Sequence, residues 1–249
     1  QAEIIGTDQR AIQIAIDALA FRGGGVVRVL PGIYTLTNSI YLRSGVNVIG
    51  TPGKTILKLA PVVKSKLAVD ADGGEKKIIP QEPQYFRPDS GILLLGKKVP
   101  GISFPPLYVT KVEQGVLYLN DYNLVDFSAS AGDKIVTYFG LIRGYKVENV
   151  KVKNLILDMR VDDLTWLQKI RIGGVWLTLG KKITLSNLQV KGVQGDGILS
   201  EPSEYITIEN CECSHNSHHG IHLGSHSPWS KVINCDLHDN GSDGLYLCW

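Results

Sequence analysis

The sequence predicts an all-β solenoid of stacked coils entered through a single N-terminal helix, on three observations. Gly174-Val175, Gly197-Ile198, Gly220-Ile221 and Gly244-Leu245 recur at intervals of 23, 23 and 24 residues. Asn187, Asn210 and Asn234 keep the same register, 23 and 24 apart. A fixed period of this size marks near-identical supersecondary units stacked on one another. Near the other end of the chain, apolar periodicity switches from helical to strand-like after a run of three glycines.

Taken in order, residues 7–22 read as one amphipathic helix. Thr7 or Asp8 can accept hydrogen bonds from the free first-turn amides, and Ile12, Ala15, Ile16 and Leu19 form one apolar stripe. Gly23-Gly24-Gly25 ends it, because glycine tolerates the left-handed backbone that follows helices. Val26–Leu30, Tyr34–Leu36, Tyr41-Leu42, Val46–Ile49 and Thr55–Leu59 then read as short strands separated by turns such as Pro31-Gly32. Residues 60–140 lose the period. Asp70–Pro88 is rich in glycine, proline and charge and reads as a long surface loop, and Leu107–Tyr138 as an inserted β excursion, either decoration or the wall of a groove. Coils resume at Tyr145–Asp158. The expected organisation is a cap and first coils over 1–60, an insertion over 61–140, and regular coils over 141–249. The last of these stop at Leu247-Cys248-Trp249 without a polar cap, so missing C-terminal coils or self-association at the open end are expected.

The opening stretch, through Ala11-Ile12-Gln13, Ala15–Ala18, Gly23-Gly24-Gly25, Val29, Pro31-Gly32, Tyr34, Leu36 and Leu42–Gly50, resembles the N-terminus of the pectate-lyase-like right-handed β-helix superfamily. The coils from Asn187 onward look like the generic right-handed β-helix repeat. The resemblance implies a right-handed single-stranded parallel β-helix whose helix caps the first coil. Lyases, hydrolases, epimerases and tail-spike proteins share that cap, so it implies no single reaction.

Aligning the glycines stacks Val175, Ile198, Ile221 and Leu245 inward, with Leu177, Ser200, Leu223 and Leu247 two residues on. Leu185, Ile208 and Val232 form a second inward column, and Asn187, Asn210 and Asn234 a ladder at a bend. Cys211 and Cys235 become vertical neighbours about 4.8 Å apart. A disulfide fits that spacing, and so does a reduced buried stack.

The register also collects chemistry. Asp196, His219 and Asp243 precede the aligned glycines on three successive coils, and Trp176, His222 and Tyr246 point outward just after them. Two coils separate the aspartates by about 9–10 Å, close to the ~6.5–9.5 Å between acid and base in inverting glycosidases. Taken singly, each Asp-Gly reads as a turn pair. Five of the six histidines, however, fall in the twelve residues from His215 to His226, which points to a site. Asp196, Asp243 and His219 are therefore the candidate catalytic residues. His222, Trp176, Tyr246 and Glu201 are the candidate substrate-binding residues, with Glu204 a further carboxylate. His215, His219, Asp239 and Asp243 could approach one another, but they lack any recognised zinc spacing, and no metal ligand is assigned.

A formal charge of +2 with scattered lysines argues against nucleic acid as partner, and no apolar run is long enough to span a membrane. The expectation is a secreted or periplasmic enzyme cleaving a polysaccharide, by hydrolysis without a required cofactor. A lyase acting on uronic-acid glycans is the alternative. Arg160, Arg171 or Lys191 would then neutralise the substrate carboxylate, or Ca2+ would do so on Asp158, Asp162 and Asp163. A non-catalytic glycan-binding or tail-spike-type module is the third reading.

Overall fold

The computed structural model of the protein describes residues 3–96, 107–162 and 172–248. They divide into two compact units, residues 1–59 with 140–249, and residues 60–139.

The first unit is built of three parallel six-stranded sheets, each coil giving one strand to each sheet. The first sheet contains Gly25–Arg28, Val46–Ile49, Glu148–Lys153, Lys181–Ser186, Glu204–Glu209 and Lys231–Ile233. The second contains Gly32–Leu36, Thr55–Leu59, Ile156–Asp158, Gln189–Lys191, Glu212–Ser214 and Asp236–His238. The third contains Ile40–Tyr41, Ile142–Tyr145, Gly173–Thr178, Asp196–Ser200, Ile221–Leu223 and Leu245–Leu247. Identical environments stack in columns: Val48, Val152, Leu185 and Ile208 in the first sheet, and Ile142, Val175, Ile198 and Ile221 in the third, all buried.

The stacked glycines have a steric reason. A methyl group on Gly197 would sit 2.5 Å from the carbonyl oxygen of Gly220, and one on Gly220 would sit 2.7 Å from that of Gly244. The carbonyl of each coil fills the space a side chain would need. At the opposite bend Asn154, Asn187, Asn210 and Asn234 all adopt positive φ, between 49° and 60°. Asn187 donates to Asn154 and Asn234 to Asn210, so the ladder serves both the left-handed backbone and the bonding along the axis.

The helix Gln9–Phe21 starts at Asp8, whose carboxylate accepts from the Arg10 amide at 2.9 Å, and it buries Ile12 and Ile16. Gln9 and Gln13 use their side-chain amides like peptide groups. Gln13 donates to the Tyr41 carbonyl and accepts from the Tyr41 amide, and Gln9 accepts from the Thr37 amide and donates to the Thr37 hydroxyl. The open edge of the first coil is satisfied by a helix lying across it.

The coils expected over 141–249 open on a strand that the sequence reading did not assign. Ile142–Tyr145 already pairs with Ile40–Tyr41 on one side and with Val175–Thr178 on the other. Arg143 and Gly144 interrupt the apolar alternation there, which hid the strand in the sequence.

The second unit is one antiparallel sheet of six strands around its own core of Leu67, Ile78, Phe86, Ile92, Val109, Leu117, Phe127 and Ile135. The stretch Asp70–Pro88 is not a plain loop. It carries the strand Lys77–Ile78 and the 3-10 turn Pro83–Tyr85, and Ala71, Ile78 and Phe86 enter the core.

Candidate active site

The site lies where the chain bends from the second sheet into the third, and the bend is itself laddered. Gly192, His215 and Asp239 turn it with positive φ. Asn216 accepts from the Val193 amide, and Asn240 from the Asn216 amide. Ser217 donates to the Val193 carbonyl, His218 to Gly195 and Ser242 to His218. Residues 193–196, 216–219 and 240–243 are therefore hydrogen-bonded from coil to coil, as the strands are. The expected vertical file is present: the Gly197 amide donates to His219 and the Gly220 amide to Asp243, coil upon coil.

Asp196 takes a different place from the solvent-facing one its register suggested. Its carboxylate is 0% exposed. Oδ1 accepts from His218 Nδ1 at 2.9 Å and from the His219 amide at 3.1 Å, and Oδ2 accepts from His222 Nδ1 at 2.9 Å. Burial pushes its pKa up, but the hydrogen bonds from His222, the His219 amide and His218 together outweigh that and hold the carboxyl below its ordinary range. It is ionised at neutral pH, so each partner ring carries a proton on the Nδ1 that faces it.

Around this hub the histidines differ in access. The His218 side chain is 49% exposed, whereas those of His219 and His222 are 7% and 1% exposed. His222 Nε2 lies 3.6 Å from Glu201. His219 stacks flat on Tyr246, with centroids 4.5 Å apart, and its Nδ1 accepts from the Asp243 amide at 3.3 Å. Burial lowers the His219 pKa, with the nearby Asp196 charge opposing, so this ring is neutral at neutral pH. Asp243 is exposed, its carboxylate 3.3 Å from His219 Nδ1.

Several expectations need correction. Asp196 is enclosed by histidines and cannot face an acid–base partner across a sugar, so the two-carboxylate spacing no longer argues for inversion. Trp176 is 6% exposed and the Arg143 guanidinium lies over its ring at 4.5 Å, so that face is not open to a sugar. One face of Tyr246 is taken by His219. Glu204 is held by Lys181 at 2.7 Å. Arg160 grips both oxygens of Asp158, which removes Asp158 from a calcium set and Arg160 from the free cations. Asp163 and Arg171 lie outside the described residues. His215, His219, Asp239 and Asp243 do not converge. Among the described residues the one group of three or more potential metal ligands is Asp196, His218 and His219, with ligand atoms within 4.8 Å, already joined by hydrogen bonds. The cysteines are all free, and burial pushes the Cys211 thiol up to about 12. His218 is the residue the sequence reading missed. Its signal was the doublet His218-His219, whose first member packs beside the preceding coil's aspartate.

The family model described as "right handed beta helix region" matches residues 116–248, more than half of the chain. The protein belongs to the right-handed β-helix family. No curated protein sequence matches it. Among solved structures, this β-helix protein is similar to the A-module of the mannuronan C-5 epimerase AlgE4 of Azotobacter vinelandii, at TM-score 0.53 and 16% identity over 98% of this chain and 57% of that one. It is similar also to an exopolygalacturonase of Thermotoga maritima, at TM-score 0.55 and 15% identity over 97% of this chain and 52% of that one. The β-helix chain thus spans little more than half the length of either, and at these identities the likeness is one of fold. Among the described residues no helix is long and apolar enough to cross a membrane.

Proposed function

We propose that this chain is, or is part of, an extracellular enzyme that cleaves glycosidic bonds in a polysaccharide, with a histidine on a buried carboxylate as its base. The observation that carries this reading is the Asp196 hub. A fully enclosed, ionised carboxylate fixes His218 by Nδ1 and turns its Nε2 outward, the arrangement that makes an imidazole an effective general base. In hydrolysis His218 Nε2 would take the proton of the attacking water. Asp243, the exposed carboxyl one coil further, would protonate the leaving oxygen, and Tyr246, His222 and Glu201 would shape the floor beneath the sugar. Fold relatives whose names specify polygalacturonate and mannuronan support the polysaccharide class. No cofactor enters this scheme.

The same base would serve β-elimination from a uronic-acid glycan, the second reading, and Arg143 in the same outward column supports a uronate-bearing substrate for either reaction. Incubation with a panel of neutral and acidic polysaccharides tests the proposal. New reducing ends without ultraviolet absorbance mean hydrolysis, and an absorbing unsaturated product means elimination. Cleavage that survives His218→Ala at the wild-type rate, or no cleavage of any member by a chain that binds it, overturns the catalytic reading.

A further inference from the structure

The outward column of the third sheet runs Tyr41, Arg143, Trp176, Leu199, His222, Tyr246, each in register with the next. Arg143 is its one cation. The Arg143 guanidinium carbon lies over the Trp176 ring, 4.5 Å from its centroid, while Nη1 is buried without a hydrogen-bond partner. Arg10, Arg43 and Arg160 each hold an aspartate. Among the described residues Arg143 has no such partner. The contact with the ring is a cation–π one and uses up none of the guanidinium's hydrogen-bond donors. A half-buried cation without a counter-ion is unfavourable by itself, so its place in the structure calls for an anion.

We propose that Arg143 is a subsite for an acidic sugar, binding a uronate carboxylate of the glycan on the guanidinium fork. The proposal deepens the polysaccharide reading above and rests on it. Planarity decides the ligand: two parallel N–H groups match a carboxylate in a way that an ammonium does not. Trp176 packs against the guanidinium and restricts where it can sit. Burial lowers the pKa of Arg143, with Tyr41 and Tyr145 opposing, which is the mark of a charge short of stabilising partners. The column places Arg143 three coils from His222, roughly 14 Å away. That is a distance for holding a sugar not being cleaved, so the carboxylate there contributes to binding rather than to bond breaking.

Calorimetric titration of the whole chain with oligogalacturonate, with its methyl ester and with a sulfated neutral oligosaccharide tests this. A charge-assisted contact predicts a preference for the acid over the ester of roughly 10–100-fold. Arg143→Gln should abolish the preference and Arg143→Lys should keep part of it. In a cleavage assay Arg143→Gln should raise KM and leave kcat near wild type. Equal affinity of the wild type for acid and ester, or an undiminished preference in Arg143→Gln, overturns the proposal. Binding of the sulfated sugar without the uronate overturns the carboxylate assignment. The wild-type comparison alone decides if the glutamine variant does not fold. A chain that cleaves neutral glycan with no acid preference sinks this subsite alone, and one that prefers the acid but cleaves nothing sinks only the catalytic reading. A chain that binds no glycan sinks both.

Discussion

Replacing Asp196 by asparagine keeps the shape of the buried side chain and removes its charge. In the native site three donors converge on two carboxylate oxygens: His218 Nδ1 and the His219 amide on Oδ1, and His222 Nδ1 on Oδ2. An amide offers one oxygen and one NH2 group. With its oxygen toward His218 and the His219 amide, the NH2 faces His222 Nδ1, and that ring must move its proton to Nε2, 3.6 Å from Glu201. Rotated the other way, it is His218 that loses its acceptor and turns the wrong nitrogen outward. Each charge-assisted bond is worth about 1.5–3 kcal/mol, and burying a neutral amide recovers part of the carboxylate's desolvation. The net loss of stability should be about 1–3 kcal/mol, or roughly 2–4 °C in Tm for each kcal/mol at this size. The rate should fall by roughly 100- to 10,000-fold, the range for a base robbed of its tautomer and alignment. Initial cleavage rates at matched folded fraction, with circular dichroism to measure unfolding, read both numbers. The depressed pKa adds a pH signature. The stabilisation is complete above the ordinary carboxylate pKa and is lost as pH falls through the lower folded value, so the wild type should lose more stability in that window than Asp196→Asn. A variant that melts like the wild type and keeps its rate within about twofold refutes the hub as the orienting element.

Three further outcomes follow from the same geometry. His219 has a folded pKa below its ordinary value, so between the two the unfolded chain binds a proton that the folded chain does not. Stability should therefore drop as pH falls below about 6.5, and His219→Gln should flatten that part of the urea-denaturation profile. The exposed His238, raised by its bond to Asp239, acts with the opposite sign. Gly197→Ala places a methyl group 2.5 Å from the Gly220 carbonyl oxygen and 2.8 Å from Asn216 Nδ2, so coils must part. A loss of about 1–3 kcal/mol in chemical denaturation is expected, and no measurable loss would refute the close stacking. Burial keeps Cys211 and Cys213 protonated, so thiol alkylation of the native chain should label Cys235 and Cys248 and reach the other two only on unfolding; mass mapping checks the order.

Much of the fold was legible because a solenoid repeats its constraints. Each glycine that faces a carbonyl and each asparagine that turns the bend recurs at a fixed spacing, so Gly197 and Asn210 announced their neighbours without any contact being seen. The same logic failed where repetition stops. The coil beginning at Gly140 was obscured by Arg143 and Gly144, and the core of the second unit has no period from which Ile78 or Phe86 could be placed. At the site, register located the file Asp196, His219, Asp243, but it could not tell which side chain closes over which. A period gives Cα neighbours, whereas chemistry depends on rotamers and on residues one position out of register. His218 is such a residue: the bend brings its ring, not that of His219, onto Asp196 Oδ1.

That displacement changes what the aspartate is for. Two carboxylates in a file suggested an acid and a base of equal standing. Once one carboxylate is enclosed and receives three hydrogen bonds, it can no longer exchange protons with substrate, and its charge instead fixes the tautomers of two imidazoles. Its coil supplies the charge and the next supplies both rings and the amide that read it. The coil after that supplies Asp243 and Tyr246, which cover His219. The site therefore forms only when three consecutive coils stack, and the glycine column that permits their close approach is as much a requirement for the chemistry as the histidines. Gly197→Ala should on this argument lower activity by more than its loss of folded fraction explains, because a shift between two coils moves His218 relative to Asp196. Activity that tracks the folded fraction alone would place the site within single coils and defeat the argument.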